Sequence, residues 1–339
     1  MADNPVILSV NDLHISFNTY AGRVQAVRGV SFQLHEGEVL AMVGESGCGK
    51  SVTAQSILQL NPVPPTVMEG GSIELNGKDL LQYSDVEMRK VRGHEISMIF
   101  QDPMTSLNPT TRVGKQITEA ILKHQKVSRA EANQRAVEML RMVGLSNPEQ
   151  RMRQYPHEFS GGMRQRAMIA MALVCNPKIL IADEPTTALD VTIQSQIVDL
   201  LLDLREKLGT AILIITHDMG VVADIADRVA VMYAGMIVEQ GSVRDLFYHP
   251  RHPYTWGLLD SIPKMNHSDE QLVPIQGTPP DLLNPPVGCP FAARCPHCMA
   301  ICHDMMPEET TVAEGHTVRC WLQHEFAPRV ENRFEREEK

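Results

Sequence analysis

The sequence has no apolar run long enough to cross a membrane. Of its 339 residues 43% are hydrophobic, enough for a full core plus a smaller appendage. Yet the longest purely apolar runs, such as Ala211 to Ile215, are strand-sized, far short of the roughly 20 residues a spanning helix needs. Any membrane role would therefore require partner subunits. A positive balance is missing too. Lys and Arg number 31 against 41 Asp and Glu, a net charge of −10, which repels a phosphate backbone and disfavours nucleic acid as the main partner. The opening MADNPVILSV has neither the basic patch nor the apolar stretch of a secretory signal, so the expected location is the cytosol. Cysteine is sparse except in one place. Of seven, Cys48 and Cys175 stand alone and five crowd between Cys289 and Cys320, which in a reducing compartment suggests metal before disulfide.

Four apolar segments each run into a polar residue suited to phosphate chemistry. Val39 to Val43 leads into a glycine-rich loop, Ile96 to Phe100 into Gln101, Ile179 to Ala182 into Asp183 and Glu184, and Ala211 to Thr216 into His217. Near-continuous apolar runs read as strands buried on both faces of a parallel sheet, and such sheets bind ligands at the carboxyl ends of their strands. Helical patterns fill the intervals at Val52 to Leu60, near Val113 to Val143, Gly161 to Val174 and Thr192 to Leu208. Ile7 to Phe17 and Gln25 to Leu34 alternate as an antiparallel β layer would. The stretch from Gln101 to Ser160 interrupts the sheet elements as an inserted helical subdomain. Beyond about Gly241 the chain turns proline-rich, with little helical or strand periodicity.

GESGCGKS, made of Gly44, Glu45, Ser46, Gly47, Cys48, Gly49, Lys50 and Ser51, fits the phosphate-loop pattern between a predicted strand and a helix that opens through Val52. Its glycines let successive N–H groups turn toward phosphates, and the helix adds its positive end. Lys50 would reach the β and γ phosphates and Ser51 would ligate Mg2+. In ILIADE, Asp183 would support Mg2+ through its water shell and leave Glu184 to polarise an attacking water. Alone, an Asp-Glu pair is usually a solvated turn and a single histidine a packed residue; position at strand ends shifts that balance.

SGGMR, Ser160 to Arg164, resembles the LSGGQ signature of ABC ATPases, with Phe159 for the leucine and Met163 for the glutamine. The resemblance spans residues 6 to 245. It implies an ABC-type P-loop NTPase of α/β class, with a mostly parallel RecA-like sheet, an antiparallel β layer, an inserted helical subdomain at about 102–164 and a small Cys-rich extension. The expected domains are 1–248 for nucleotide binding and 249–339 for the extension. It further assigns Gln101 to the Q-loop with a part in Mg2+ binding, Ala188 to Asp190 to the D-loop, His217 to the switch histidine, and Phe17, with Tyr20 close by, to adenine stacking. ATP would lie between the phosphate loop of one subunit and Ser160, Gly161 and Gly162 of another.

QDPMTSLNP at 101–109, YPHEFSGGMRQR at 155–166 and HPYTWGLLDSIP at 252–263 are similar to the oligopeptide and dipeptide importer branch, first-type ATPase subunit. Implied partners are a paralogous ATPase in a heterodimer, two transmembrane permeases and an extracytoplasmic peptide-binding protein, with the chain peripheral on the cytoplasmic face of the bacterial inner membrane. Cys289, Cys295, Cys302 and Cys320 match the branch's GCxFxxRC pattern. The resemblance favours a 4Fe–4S centre; zinc remains an alternative, since CPHC brings in Cys298, as do reduced cysteines without metal. A carrier of nickel or another small solute, and a soluble ABC ATPase outside transport, are the other readings.

Overall fold

The computed structural model describes residues 4–102, 106–187, 190–262, 274–332 and 334. Within them the chain forms two compact units, one drawn from residues 1–7, 34–39 and 79–215 and the other from 8–33, 40–78 and 216–339.

The first unit is built on parallel strands Ile96–Ile99, Ile179–Asp183 and Ala211–Thr216, in register Ile96↔Ile179 and Ile179↔Ala211. Every residue of Ile179–Asp183 and Ala211–Thr216 is buried, as expected where both faces of a parallel sheet are covered. Helices Val113–His124, Arg129–Met142, Gly161–Leu173 and Val191–Leu208 accompany them. In the first of these Val113, Ile117 and Ile121 are buried, four residues apart on one face. The helical pattern over Val113 to Val143 is thus two helices, not one. The second begins at Ser128, whose hydroxyl accepts from the Glu131 N–H at 3.2 Å, a capping bond that opens a new helix.

The second unit carries the antiparallel layer, in the order Gly22–His35, Val6–Thr19, Thr66–Leu75, Lys78–Asp79. Leu8 faces Leu75 and Phe17 faces Thr66 across it, with register shifts between Asn11 and Ile15. Strand Val39–Val43 runs parallel to Arg228–Tyr233, pairing Leu40 with Arg228. The latter turns through Ala234 and Gly235, both at positive φ, into Met236–Ser242. His316–Val318 and Thr310–Ala313 continue that edge. The tail is therefore more regular than its sequence suggests. It contributes two short strands and the helices Val243–Tyr248, Pro253–Asp260 and Ala300–Asp304, elements too short for periodicity to register.

Candidate functional site

In the second unit, strand Val39–Val43 is buried throughout and feeds the loop 44–49, after which helix Lys50–Ile57 begins. A Cβ at Gly44 would lie 2.1 Å from the Met232 carbonyl oxygen, and one at Gly49, where φ is 103°, would lie 2.5 Å from that of Ala26. Only glycine fits either place. Lys50, 4% exposed, donates from Nζ to the carbonyl oxygens of Gly44 at 2.7 Å and Glu45 at 2.9 Å. The loop is thereby wrapped around an ammonium group at a helix start, an arrangement suited to a polyanion. Burial pushes the Cys48 thiol up, so it adds no negative charge there. Ser46 and Gly47 are exposed, while Ser51 and Val52 are half-buried.

In the first unit, strand Ile179–Asp183 ends on a buried Asp183, 3% exposed. Glu184 follows with φ of 46°, a conformation costly for a side chain of its size and worth notice at a strand end. Its N–H donates to the Ile215 carbonyl oxygen at 2.9 Å. Its Oε2 accepts from Gln101 Nε2 and from Thr187 Oγ1, each at 2.8 Å. Two residues singled out at the ends of separate strands thus meet, and Thr187 joins them unforeseen.

Ser160 caps helix Gly161–Leu173 by accepting from the Met163 N–H at 3.4 Å. Ser160 and Gly161 are exposed and Gly162 is half-buried. Phe159, 2% exposed, is a core residue, so its replacement of leucine keeps an apolar contact. Gln165, buried, donates to the Pro185 carbonyl oxygen at 2.6 Å and ties this helix to the segment after Glu184. Asp190 caps helix Val191–Leu208 through Oδ1, which accepts from the Ile193 N–H at 3.0 Å. Ala188 and Leu189 lie outside the described residues. His217 is exposed at the end of its strand, Phe17 is half-buried and Tyr20 is exposed.

Cys289 and Cys302 are buried, Cys295 and Cys320 partly so. Burial, reinforced by mutual repulsion, pushes Cys289 up to about 11 and Cys295 and Cys320 up to about 12. Cys298 Sγ lies 3.3 Å from His303 Nε2. Among the described residues, no group of three or more His, Cys, Asp or Glu is placed to hold a metal ion. The expected ligand set is a group of neighbouring thiols here, not an assembled single-ion site.

A sequence profile of the ABC transporter family matches residues 27–187, and one for the C-terminal region of oligopeptide and dipeptide transporters matches 238–302. The oligopeptide transport ATP-binding protein OppD of Bacillus subtilis is 60% identical over 96% of this chain and 91% of its own length. The chain belongs to the ATP-binding subunits of ABC-type oligopeptide and dipeptide transporters. The dipeptide transport ATP-binding protein DppD of the same organism is 58% identical over 95% of this chain and 96% of its own length. Among solved structures, the ADP- and Pi-bound dimer of the cassette MJ0796 aligns with a TM-score of 0.63 at 27% identity, covering 70% of this chain and 99% of that one. cbiO1 of Clostridium perfringens, described as part of a transporter complex, gives 0.62 at 30% identity over 72% and 91%. The ABC ATPase fold and ATPase activity follow from membership. No helix among the described residues is long and apolar enough to cross a membrane.

The peptide-transporter tail also supplies residues that sequence reasoning passed over. Tyr254 Oη accepts from the Glu45 N–H at 2.8 Å, and Arg294 pairs with the Glu45 carboxylate. Both lay in quoted segments, Tyr254 in HPYTWG and Arg294 in GCPFAARC, but nothing there marked them as neighbours of the loop.

Proposed function

We propose that this subunit hydrolyses ATP to drive uptake of dipeptides or oligopeptides, in a heterodimer with a paralogous ATPase beneath two permeases on the cytoplasmic face of the bacterial inner membrane, served by an extracytoplasmic binding protein. The observation that carries the reading is the presence, on one polypeptide, of the cassette and of the peptide-transporter C-terminal region. A boundary near 248, between a nucleotide-binding domain and the extension, is part of the same proposal. A carrier of nickel or another small solute uses the same cassette, so cargo is settled by assay. Proteoliposomes containing the subunit with its partners should take up labelled di- or tripeptides only with ATP inside; nickel uptake without peptide uptake would overturn the cargo assignment.

In this reading Gly44 to Val52 cradle the triphosphate and Lys50 turns from its loop carbonyls toward the β and γ phosphates. Phe17 stacks on adenine. Ser51, Gln101 and Asp183 offer hard oxygen donors of the kind Mg2+ takes, and Mg2+, when bound, supplies charge neutralisation on the phosphates. Glu184 accepts a proton from water as the water oxygen bonds to the γ-phosphorus and the bond to ADP breaks, releasing ADP and phosphate. His217 holds the water in line. Ser160 and the first-turn amides at Gly161 and Gly162 meet the partner's γ-phosphate, with Asp190 beside them, so hydrolysis releases the closed pair.

The four tail thiols, Cys289, Cys295, Cys302 and Cys320, are the proposed seat of a 4Fe–4S centre. The reading rests on their match to the GCxFxxRC pattern and on four thiolates being the usual ligand set of such a centre. Anaerobic purification should give brown protein with about four irons per chain; iron-free, zinc-loaded protein would reverse the preference.

A further inference from the structure

Glu45, the second residue of the phosphate loop, is held at every polar group it has, and two of its holders come from the far end of the chain. Its N–H donates to Tyr254 Oη at 2.8 Å and its carbonyl accepts from Lys50 at 2.9 Å. Its carboxylate takes both arms of the Arg294 guanidinium, Nη2 reaching Oε1 at 2.9 Å and Nη1 reaching Oε2. The Arg294 side chain is 4% exposed. It is aimed by the carbonyl oxygens of Gln276 at 2.9 Å and Ile275 at 3.1 Å, by Tyr233 Oη at 3.2 Å, and by the faces of Tyr233 and Phe291 about which it lies. A half-buried, fully directed bidentate pair of this kind, with the Glu45 side chain 28% exposed, fixes geometry as well as charge. The same tail region also meets strand Gly22–His35. The Gln25 N–H donates to the Leu282 carbonyl oxygen at 2.9 Å, and Leu283 packs where a side chain at Gly22 would stand.

A carboxylate on a loop that must receive a polyphosphate is an obstacle, since like charges a few ångströms apart near a protein surface repel by several kcal/mol. We propose that Arg294 is a positioning residue for nucleotide binding: it cancels the charge of Glu45 and holds the loop open to the triphosphate of MgATP. This rests on the reading of Gly44 to Ser51 as the phosphate loop. The tail is then part of the ATP site's frame, and a change in it reaches the nucleotide through Arg294.

The test is steady-state ATP hydrolysis by the assembled transporter, with KM for MgATP and kcat read separately. Arg294→Met should raise KM about ten- to a hundredfold with kcat within about threefold of the original. Adding Glu45→Gln to it should return KM most of the way, because the charge needing cancellation is gone. A purely structural staple would be equally absent from the double variant, which would then keep the high KM. An unchanged KM in Arg294→Met, or no recovery in the double variant, overturns the proposal. Should Arg294→Met not fold, Arg294→Lys keeps the charge but loses the fork. Because the charge is kept, KM should stay within a few-fold of the original, and a KM as high as that expected for Arg294→Met would be contrary. Failure of the phosphate-loop reading shows elsewhere, as MgATP affinity unaltered by Lys50→Ala.

Discussion

Gln101 Nε2 donates to Glu184 Oε2 at 2.8 Å, and Thr187 Oγ1 donates to the same oxygen. Two donors on one oxygen fix the plane of the carboxylate. One of them stands at the start of the segment read as the helical insertion, so a movement of that segment acts directly on the proposed general base. The positive φ of Glu184 aims the side chain away from the path the strand would otherwise give it.

Glu184→Gln keeps size and hydrogen bonding but cannot accept a proton. Turnover should fall by about 10² to 10⁴, while MgATP still binds and holds the ATPase pair closed. Size-exclusion chromatography with bound-nucleotide analysis reads the trapped dimer; normal turnover would remove Glu184 from its role.

Lys50→Ala deletes the cation that Gly44 and Glu45 hold by their carbonyl oxygens. Loss of charge-assisted contacts to phosphate should weaken MgATP binding by about a hundredfold or more, measured by a fluorescent ATP analogue. The melting temperature of the nucleotide-free chain should change much less than that of the MgATP-bound chain.

His252 is buried and its Nδ1 accepts from the Tyr254 N–H at 3.0 Å, a bond that only the neutral ring can make. Burial lowers it to about 3. The folded value lies below the ordinary one near 6.5, so the unfolded chain takes up a proton that the native one refuses. Stability from this site is therefore complete above about pH 6.5 and falls as pH drops toward 3, by up to about 1.4 kcal/mol per unit. His252→Asn, which can still cap helix Pro253–Asp260, should flatten the acid side of a urea-denaturation stability profile; an unaltered slope would contradict the assignment.

Much of this was readable in the chain because buried parallel strands are written as apolar runs. Val39–Val43, Ile179–Asp183 and Ala211–Thr216 appear where the runs stand, each ending on, or one residue before, a residue of the proposed site. Helix Lys50–Ile57 begins two residues earlier than its apolar pattern, since a glycine loop rather than a capping side chain starts it. The hairpin of Arg228–Tyr233 and Met236–Ser242 went unseen. Its turn is Ala-Gly, weaker as a signal than Asn-Gly or Asp-Gly. The grip of Tyr254 and Arg294 on Glu45 spans 209 and 249 positions, and no local pattern encodes a contact so distant. Gln165 was missed for a related reason, since its partner, the Pro185 carbonyl, is set by how elements pack; Thr187 stands only three positions from Glu184, and a lone threonine there carries no pattern of its own.

In the proposed dimer each ATP is completed by a second subunit's serine-glycine-glycine turn. Gly162 stands half-buried on the first turn of its helix, where an added Cβ would meet Ile193 Cγ2 at 3.2 Å. Gly162→Asp sets a negative charge where the partner's γ-phosphate should dock. With that substitution in both ATPase subunits, the account predicts that the assembled transporter loses nearly all ATP hydrolysis while the isolated chain binds MgATP with its original affinity. Hydrolysis at the full rate of the unaltered transporter would contradict it.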